Sequence, residues 1–169
     1  MGKKCTATVI VLMVLIGAVM VFLWFGAGKY PRLKGKDFYV PALDRSSSVP
    51  SNNNTIVLVV EVFNRNILSG IYYDAGVNLS LYFGPGLVGQ ASIPAFYQRS
   101  RKRVLKQAVL YGNGRAWEAA LQEDVEGQVG FEMVLRMRVR YKGALWKRRT
   151  YRAQYDGYVL VGRDGRGRW

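Results

Sequence analysis

Hydrophobic and polar positions alternate most regularly near the C-terminus of the chain. From Val129 to Tyr141 every second residue is apolar, and charged residues such as Arg136 and Arg138 stand between them. A period of two is typical of a β-strand with one face in a core and the other in solvent. The run from 147 to 161 resumes this alternation, so the two segments predict two strands.

Further strand-like runs precede these two and are separated by turn signals. Thr55–Phe63 is β-branched and apolar apart from Glu61, which suits a strand buried on both faces or nearly so. The other predicted strands are 37–43, 71–74, 78–83, 87–93 and 104–111, and 116–125 has the composition of one short helix. Spaced strands, little helix and no βαβ unit predict a mainly β fold, an antiparallel β-sandwich.

The two ends of the chain differ from this β domain in composition. Residues 7–27 contain no charged side chain, and a helix of 21 residues spans about 30 Å, the thickness of a bilayer core. We expect a transmembrane helix there, after a short cytosolic tail over 1–6; the alternative is a cleaved signal peptide, whose apolar region is usually shorter. Residues 28–36 are expected to form a basic linker, 37–161 the β domain and 162–169 a flexible Gly/Arg-rich tail.

The charges that flank the apolar segment bear on its orientation. Lys3 and Lys4 precede it, whereas four cations follow it in the linker. The positive-inside rule then places the β domain in the cytosol, but a long folded domain translocates largely regardless of charge. The juxtamembrane Cys5 is a candidate for acylation, which requires a cytosolic N-terminus.

Composition excludes several classes of enzyme. The chain has 169 residues, with 25 Lys and Arg against 11 Asp and Glu, a formal charge of +14, no histidine and one cysteine. Without histidine there is no Ser-His-Asp or Cys-His pair, and one cysteine cannot form an internal disulfide or a four-cysteine metal site. The carboxylates around the predicted helix suit a solvated helix face better than an acid/base pair. We therefore expect no catalysis, no metal and no cofactor.

The excess cations fall into two groups that are candidates for contact with a polyanion. The first comprises Arg99, Arg101, Lys102, Arg103 and Lys106, and the second Arg136, Arg138, Arg140, Lys142, Lys147, Arg148, Arg149 and Arg152. If the last two strands pair, most arginines of the second group share one sheet face, which attracts polyanions. Acidic polysaccharide and anionic lipid headgroups are the candidate ligands, since a membrane anchor argues against nucleic acid. A solvated strand face without a ligand fits the pattern equally well.

Two sequons for N-glycosylation, at Asn53 and Asn78, favour a lumenal or extracellular β domain. Asn53 lies at the end of a predicted loop over 46–54 that is rich in Ser and Asn, where a glycan is easily accommodated. Asn78 starts a predicted strand. Because sequons often arise by chance, they only lean toward this side of the membrane.

An ordered set of short motifs gives the chain a family resemblance. The motifs are Phe63-Asn64-Arg65-Asn66, Gly70-Ile71-Tyr72-Tyr73-Asp74, Pro94-Ala95-Phe96-Tyr97-Gln98, Leu110-Tyr111-Gly112 and Trp146-Lys147. With the N-terminal apolar segment they resemble the plant NHL proteins, the harpin-induced and race-non-specific-resistance-like group also called late-embryogenesis-abundant type-2 or hydroxyproline-rich glycoprotein-like proteins. The chain departs from that family at Arg65 and Ala95, where the family usually has proline, and it lacks the cysteine that many members carry near the end of the last strand.

The resemblance implies a plasma-membrane protein with a cytosolic N-terminus and an extracellular immunoglobulin-like or fibronectin-III-like β-sandwich. It implies a role in pathogen defence, the hypersensitive response and stress responses, without catalysis. One expected function is a tethered binding module, whose basic face contacts wall polysaccharide or anionic lipid and whose loops contact a protein partner in defence signalling. The other is a structural protein that protects membranes during dehydration without a specific ligand.

Overall fold

The computed structural model describes residues 2–26, 28–46, 53–123, 128–142 and 150–169. Its N-terminal helix, α1, spans Gly2–Gly26, and the side chains described within it, those of residues 8–21, are all exposed. Within the part of the chain that is described, no helix combines the length and the apolarity needed to cross a membrane. The membrane assignment of residues 7–27 stays a prediction, and the side chain of Cys5 lies outside the described residues.

Strands dominate the rest of the described chain. They are β1 (Arg32–Asp44), β2 (Thr55–Phe63), β3 (Gly70–Phe83), β4 (Gly86–Ile93), β5 (Phe96–Gln98), β6 (Arg103–Tyr111), β7 (Gln128–Lys142), β8 (Thr150–Gly162) and β9 (Asp164–Arg168). A second helix, α2 (Gly114–Gln122), lies between β6 and β7. The predicted mainly β fold is confirmed.

The nine described strands form one antiparallel sheet in the order β4-β3-β7-β8-β9-β1-β2-β6, with β5 paired to β3. The two ends of this order approach each other, because the backbone N–H of Asn113, just after β6, donates to the carbonyl of Val88 on β4 at 3.0 Å. The sheet therefore curls into a nearly closed, barrel-like shape around one core.

The core inside this curl follows the alternation in the sequence. On β7 the odd-numbered residues from Val129 to Tyr141 are buried, whereas Arg136 and Arg138 between them are exposed. On β2 the even-numbered residues of 56–62 are buried and the odd-numbered ones are half-buried. This strand therefore has one fully buried face, where the sequence predicts two or nearly two.

β3 is one strand, although the apolar pattern predicts two, over 71–74 and 78–83. Its register with β7 shifts between Tyr73 and Val77. Gly76 within this shift has a φ of +70°, and a Cβ at that position would overlap the backbone of β4. Only glycine suits both requirements, and the bulge at Gly76 interrupts the alternation without ending the strand.

Part of the expected linker is also a strand. Residues 32–36, which the sequence assigns to a linker over 28–36, open β1 and pair with the end of β2, with Arg32 opposite Phe63. The hydroxyl of Tyr155 donates to the carbonyl of Pro31, the residue just before β1. The prediction was wrong here because the alternation before residue 37 is short and dominated by charge.

The prediction of a flexible tail over 162–169 is wrong as well. Most of it forms β9, which pairs with both β1 and β8 and so joins the two sides of the sheet. A Cβ on Gly167 would lie 2.7 Å from the Cβ of Phe38, so glycine is required for β9 to pack this closely on the core. Trp169 then lies edge-on to Phe38, with 6.2 Å between the ring centroids. The Gly/Arg composition that suggested a loose tail thus reflects close packing.

α2 overlaps the helix predicted over 116–125 but ends earlier. Trp117 and Ala120 are buried and, three residues apart, lie on the same side of the helix. Glu118 and Glu123 are exposed, as a solvated helix face requires.

Candidate functional site

A row of arginines lies on the outer face of β7 and β8. Arg136 and Arg138 are exposed because they occupy alternate positions of β7, whose other face is in the core. On β8, Arg152 lies directly opposite Arg138, and Gln154 lies opposite Arg136. The pairing of the two strands thus places these side chains on one surface.

Arg140 shares this strand but is already paired. Its Nε and Nη2 donate to the two carboxylate oxygens of Asp74 on β3 at 2.9 and 2.7 Å. Its guanidinium lies 5.0 Å from the centre of the Tyr72 ring. The hydrogen bonds from Arg140 hold the pKa of the Asp74 carboxyl below its ordinary value. Arg140 therefore links β7 to β3 and has little capacity left for a ligand.

Arg136, Arg138 and Arg152 form no salt bridge with any carboxylate in the described ranges. Arg136 Nε donates to Gln154 Oε1 at 3.0 Å, and Gln154 Nε2 donates to Asp156 Oδ1 at 3.0 Å. Like charges directly opposite each other on paired strands are destabilising. An anion bound between Arg138 and Arg152 would relieve this repulsion.

These three arginines line a groove of about 400 Å³, which we call the arginine groove. Its lining residues are Ala75, Gly76, Asn78, Arg136, Met137, Arg138, Arg152, Ala153 and Gln154. The space exists because Ala75 and Gly76, at the bulge of β3, have little or no side chain to fill it. The volume lies within the range of small-molecule sites, and its cations and amides suit an anionic, hydroxyl-rich ligand.

The other predicted basic group lies in the turn between β5 and β6. The exposed cations of this turn are Arg99, Arg101 and Lys102. Arg103, the first residue of β6, differs because it donates to Glu61 at 2.9 Å. The turn lies at the start of β6, whereas the arginine groove lies part-way along β7 and β8, so the two groups serve different surfaces. Arg148 of the second group lies outside the described residues.

The asparagines of the first family-like motif form a buried network. Asn64 and Asn66 are 0% and 4% exposed. Asn64 Nδ2 donates to the carbonyls of Ser69 and Arg99 at 2.9 and 3.1 Å, and its Oδ1 accepts from the backbone N–H and the Nδ2 of Asn66. Asn66 Nδ2 also donates to the carbonyl of Lys29, whose N–H donates to Asn66 Oδ1 at 2.6 Å. The network ties the segment after α1 to the β2–β3 loop.

Gln98 extends these contacts to the β5–β6 turn. Its side chain is 1% exposed, and its Nε2 donates to the carbonyls of Val62 and Lys102 at 2.9 and 2.7 Å. Its Oε1 accepts from the hydroxyl of Tyr73 at 2.9 Å. We call Asn64, Asn66, Tyr73 and Gln98 the amide network. Since their polar atoms pair inside the protein, these residues stabilise the fold rather than contact a ligand.

Aromatic side chains of the motifs hold β5 against β3. Tyr73 stacks on Phe96 with 4.1 Å between ring centroids, and Tyr72 lies 4.5 Å from Tyr97. Burial raises the pKa of the Tyr73 hydroxyl, which stays protonated as a donor to Gln98. Pro94, between β4 and β5, is exposed.

The sequence pattern does not single out the two amides of the arginine groove, Asn78 and Gln154, as contacts for a ligand. The available signal is their outward position beside arginine on a paired strand, with Asn78 opposite Arg136. Asn78 is also a sequon asparagine, and its Oδ1 accepts from Ser92 Oγ at 3.0 Å. A glycan there would fill the groove. Asn53 is exposed beside the start of β2 and lies away from the arginine groove.

Carboxylates are scattered in the described part of the chain. Among those residues there is no cluster of three or more His, Cys, Asp or Glu side chains that could hold a metal ion. The arrangement of the arginine groove suits the binding of an anion by charge and hydrogen bonds.

Comparisons with known proteins assign no family. No protein-family model matches the chain, and no curated protein matches it in sequence. A crystal structure of a protein from Archaeoglobus fulgidus is similar, with a TM-score of 0.38 and 8% identity, and the match covers 78% of this chain and 95% of that one. A similarity at this level carries no argument about function. The resemblance to the plant NHL proteins stays a prediction.

Proposed function

We propose that the chain is a non-enzymatic, single-pass plasma-membrane protein of the NHL type, acting in plant defence and stress responses. In this proposal α1 anchors an extracellular β-sandwich that binds acidic polysaccharide through the arginine groove. The observation that carries the proposal is the set of cations, Arg136, Arg138 and Arg152, that line a groove and form no salt bridge in the described chain.

The anchor is supported by the apolar surface of α1. Large apolar side chains from Val9 to Val21 are between 49% and 70% exposed. A helix that is apolar all round is unfavourable in water and suits a lipid environment. The sheet order supports the sandwich, since β9 connects two halves of the sheet. One half contains β1, β2 and β6, and the other contains β3, β4, β7 and β8.

The position of the arginine groove favours a polyanion in solution over the headgroups of the anchoring membrane. Arg138 and Arg136 lie four and six residues before Lys142, where β7 ends, and at about 3.4 Å per residue these separations are roughly 14 and 20 Å. That end of β7 is near the chain leaving α1, because a Cβ on Gly28 would lie 3.1 Å from the Tyr141 ring. Headgroups at that end are screened from the groove, because the Debye length is about 8 Å at physiological salt.

The test is binding of polygalacturonate fragments to the purified full chain in detergent, as a function of salt. We expect saturable binding that weakens with salt, and a loss of at least about tenfold in affinity for the double variant Arg138→Gln/Arg152→Gln. The matched control is Arg115→Gln/Arg163→Gln, which removes the same charge from exposed positions elsewhere. An equal loss in both pairs would show an unspecific effect of net charge. Unsaturable association that tolerates both pairs is what dehydration protection without a ligand predicts.

A second experiment determines the side of the membrane. Protease protection of a C-terminal tag in sealed microsomes, with a glycosidase shift, should report a lumenal domain. We expect Asn53→Gln to abolish the shift and Asn78→Gln to leave it, since a glycan at Asn78 would block the groove. An unglycosylated domain on the cytosolic side would reverse the topology and contradict binding to wall polysaccharide.

A further inference from the structure

We infer that the β domain makes a second contact with the membrane, through the β2–β3 loop and the β5–β6 turn. This surface, the tip, consists of two exposed apolar residues, Ile67 and Leu68, and four exposed cations, Arg65, Arg99, Arg101 and Lys102. The ligand is the phosphate-bearing headgroup surface of the bilayer that holds α1. The inference rests on the proposed membrane anchor but not on the arginine groove.

The position of the tip relative to the end of α1 follows from the short segment of chain between them and from two hydrogen bonds. Lys29 pairs with the side chain of Asn66, in the middle of the tip, through both its N–H and its carbonyl. Lys29 is three residues after the last residue of α1, Gly26. Three residues span at most about 11 Å. Wherever α1 ends at a membrane, the tip therefore lies at that surface.

The apolar part of the tip is held outward by the amide network. Ile67 and Leu68 are 41% and 57% exposed, although the residues on either side of them, Asn66 and Ser69, are buried. The backbone N–H of Arg101 donates to the carbonyl of Asn66 at 3.1 Å, which fixes the loop against the turn. Two adjacent apolar side chains presented in this way suit insertion between lipid headgroups.

The cationic part of the tip is free for an anionic surface. In the described chain none of its four cations forms a salt bridge, and nearby Glu61 is already taken by Lys36 and Arg103. Arg101 has a φ of +54°, a conformation that glycine and asparagine adopt with less strain, and yet the chain carries an arginine there. Cations around an apolar centre match a bilayer, which has phosphates at its surface and acyl chains below.

The experiment measures how deeply the tip lies in the bilayer of the reconstituted full chain. The single cysteine is removed as Cys5→Ser, and Leu68→Cys carries a small fluorophore. Vesicles contain phosphatidylcholine with or without phosphatidylserine, and part of the lipid has brominated acyl chains that quench nearby fluorophores. The control label is on Glu118→Cys, exposed on α2 beyond the far end of β6.

We expect brominated lipid to quench the label at position 68 and not the one at 118, more strongly with phosphatidylserine and less strongly in high salt. Adding Arg101→Asn keeps a residue suited to the turn and removes one charge. It should lower the ratio of docked to undocked tips about fivefold on anionic vesicles, since a cation near such a surface contributes about 1 kcal/mol.

Four outcomes overturn the inference. Equal quenching at both positions means that the tip has no special contact with lipid. A label at 68 that is protected from aqueous iodide but not quenched by brominated lipid means that protein, such as a second copy of the chain, covers the tip. If alkaline carbonate releases the chain from the vesicles, α1 is not a membrane anchor, and the contact of the tip with that membrane is disproved with it. If the chain stays in the vesicles and only the quenching fails, the anchor stands and the tip does not.

Discussion

The amide network and the arginine groove are both clusters of polar side chains on neighbouring strands, but they differ in how their hydrogen bonds are used. Gln98 in the amide network is 1% exposed and pairs with Tyr73, Val62 and Lys102 inside the protein. In the arginine groove, Arg138 is exposed and forms no salt bridge in the described chain, although its charge helps to lower the pKa of the Asp74 carboxyl. The polar atoms of the amide network are already paired, so this cluster has little capacity for a ligand. The arginine groove still has N–H donors available for one.

A sequence motif that is specific to a family and a site that binds a ligand therefore need not coincide. The residues that carry the resemblance to a family, such as Asn64 and Gln98, are those that the fold requires. Buried amides must find all their partners at fixed distances, so their identity and spacing are restricted. The arginines of the groove only need to be on the outer face of a strand, and a simple alternation places them there.

The largest expected effect is on the amide network. Gln98→Leu leaves the buried Tyr73 hydroxyl without its partner and removes the hydrogen bonds from the amide to the Val62 and Lys102 carbonyls, and an unpaired buried group costs about 1–3 kcal/mol. We expect the free energy of unfolding to fall by about 2–4 kcal/mol, measured by thermal or denaturant unfolding of the full chain in detergent. The control is Gln107→Leu, the same change at an exposed position of β6, where we expect less than about 0.5 kcal/mol. Similar losses for the two variants would contradict the role of the network.

A smaller effect of opposite sign is expected in the arginine groove. Arg138→Gln removes a like-charge pair directly opposite Arg152, and such pairs are destabilising by about 0.2–1 kcal/mol. Stability should therefore rise slightly without ligand, and the gain should shrink in high salt. Arg140→Gln is the comparison, because it breaks the pair with Asp74 and should lower stability. A destabilised Arg138→Gln variant would mean that this arginine supports the fold.

The smallest effect is the pH dependence of the Asp74–Arg140 pair. The pKa of the Asp74 carboxyl is lowered by hydrogen bonds from Arg140, so its contribution to stability is complete above the ordinary Asp pKa of about 3.9. It is lost as the pH falls through the lower pKa of the folded state. The difference in unfolding temperature between the wild type and Asp74→Asn should therefore shrink on acidification below about pH 4. A difference that grows instead would reverse the assigned direction of the shift.

A good part of the candidate site was predictable from the sequence. The alternation of apolar and charged residues over 129–141 is enough to identify Arg136, Arg138 and Arg140 as outward-facing. It does not show that Arg140 is paired and Arg138 is not, because Asp74 is 66 residues away along the chain from Arg140. It also does not show the groove itself, which depends on a bulge in a third strand, β3.

The mainly antiparallel β fold, the apolar N-terminal segment and the outward rows of arginine follow from the sequence, because alternation and length are local properties. That Gly167 and its neighbours form a strand depends on tertiary packing, since the closeness of Phe38 and Val159 makes glycine necessary there. Tertiary packing also decided that Asn64, Asn66 and Gln98 lie inside. An amide is polar in any sequence, and whether it contacts water, a ligand or the backbone depends on partners that folding brings from distant parts of the chain.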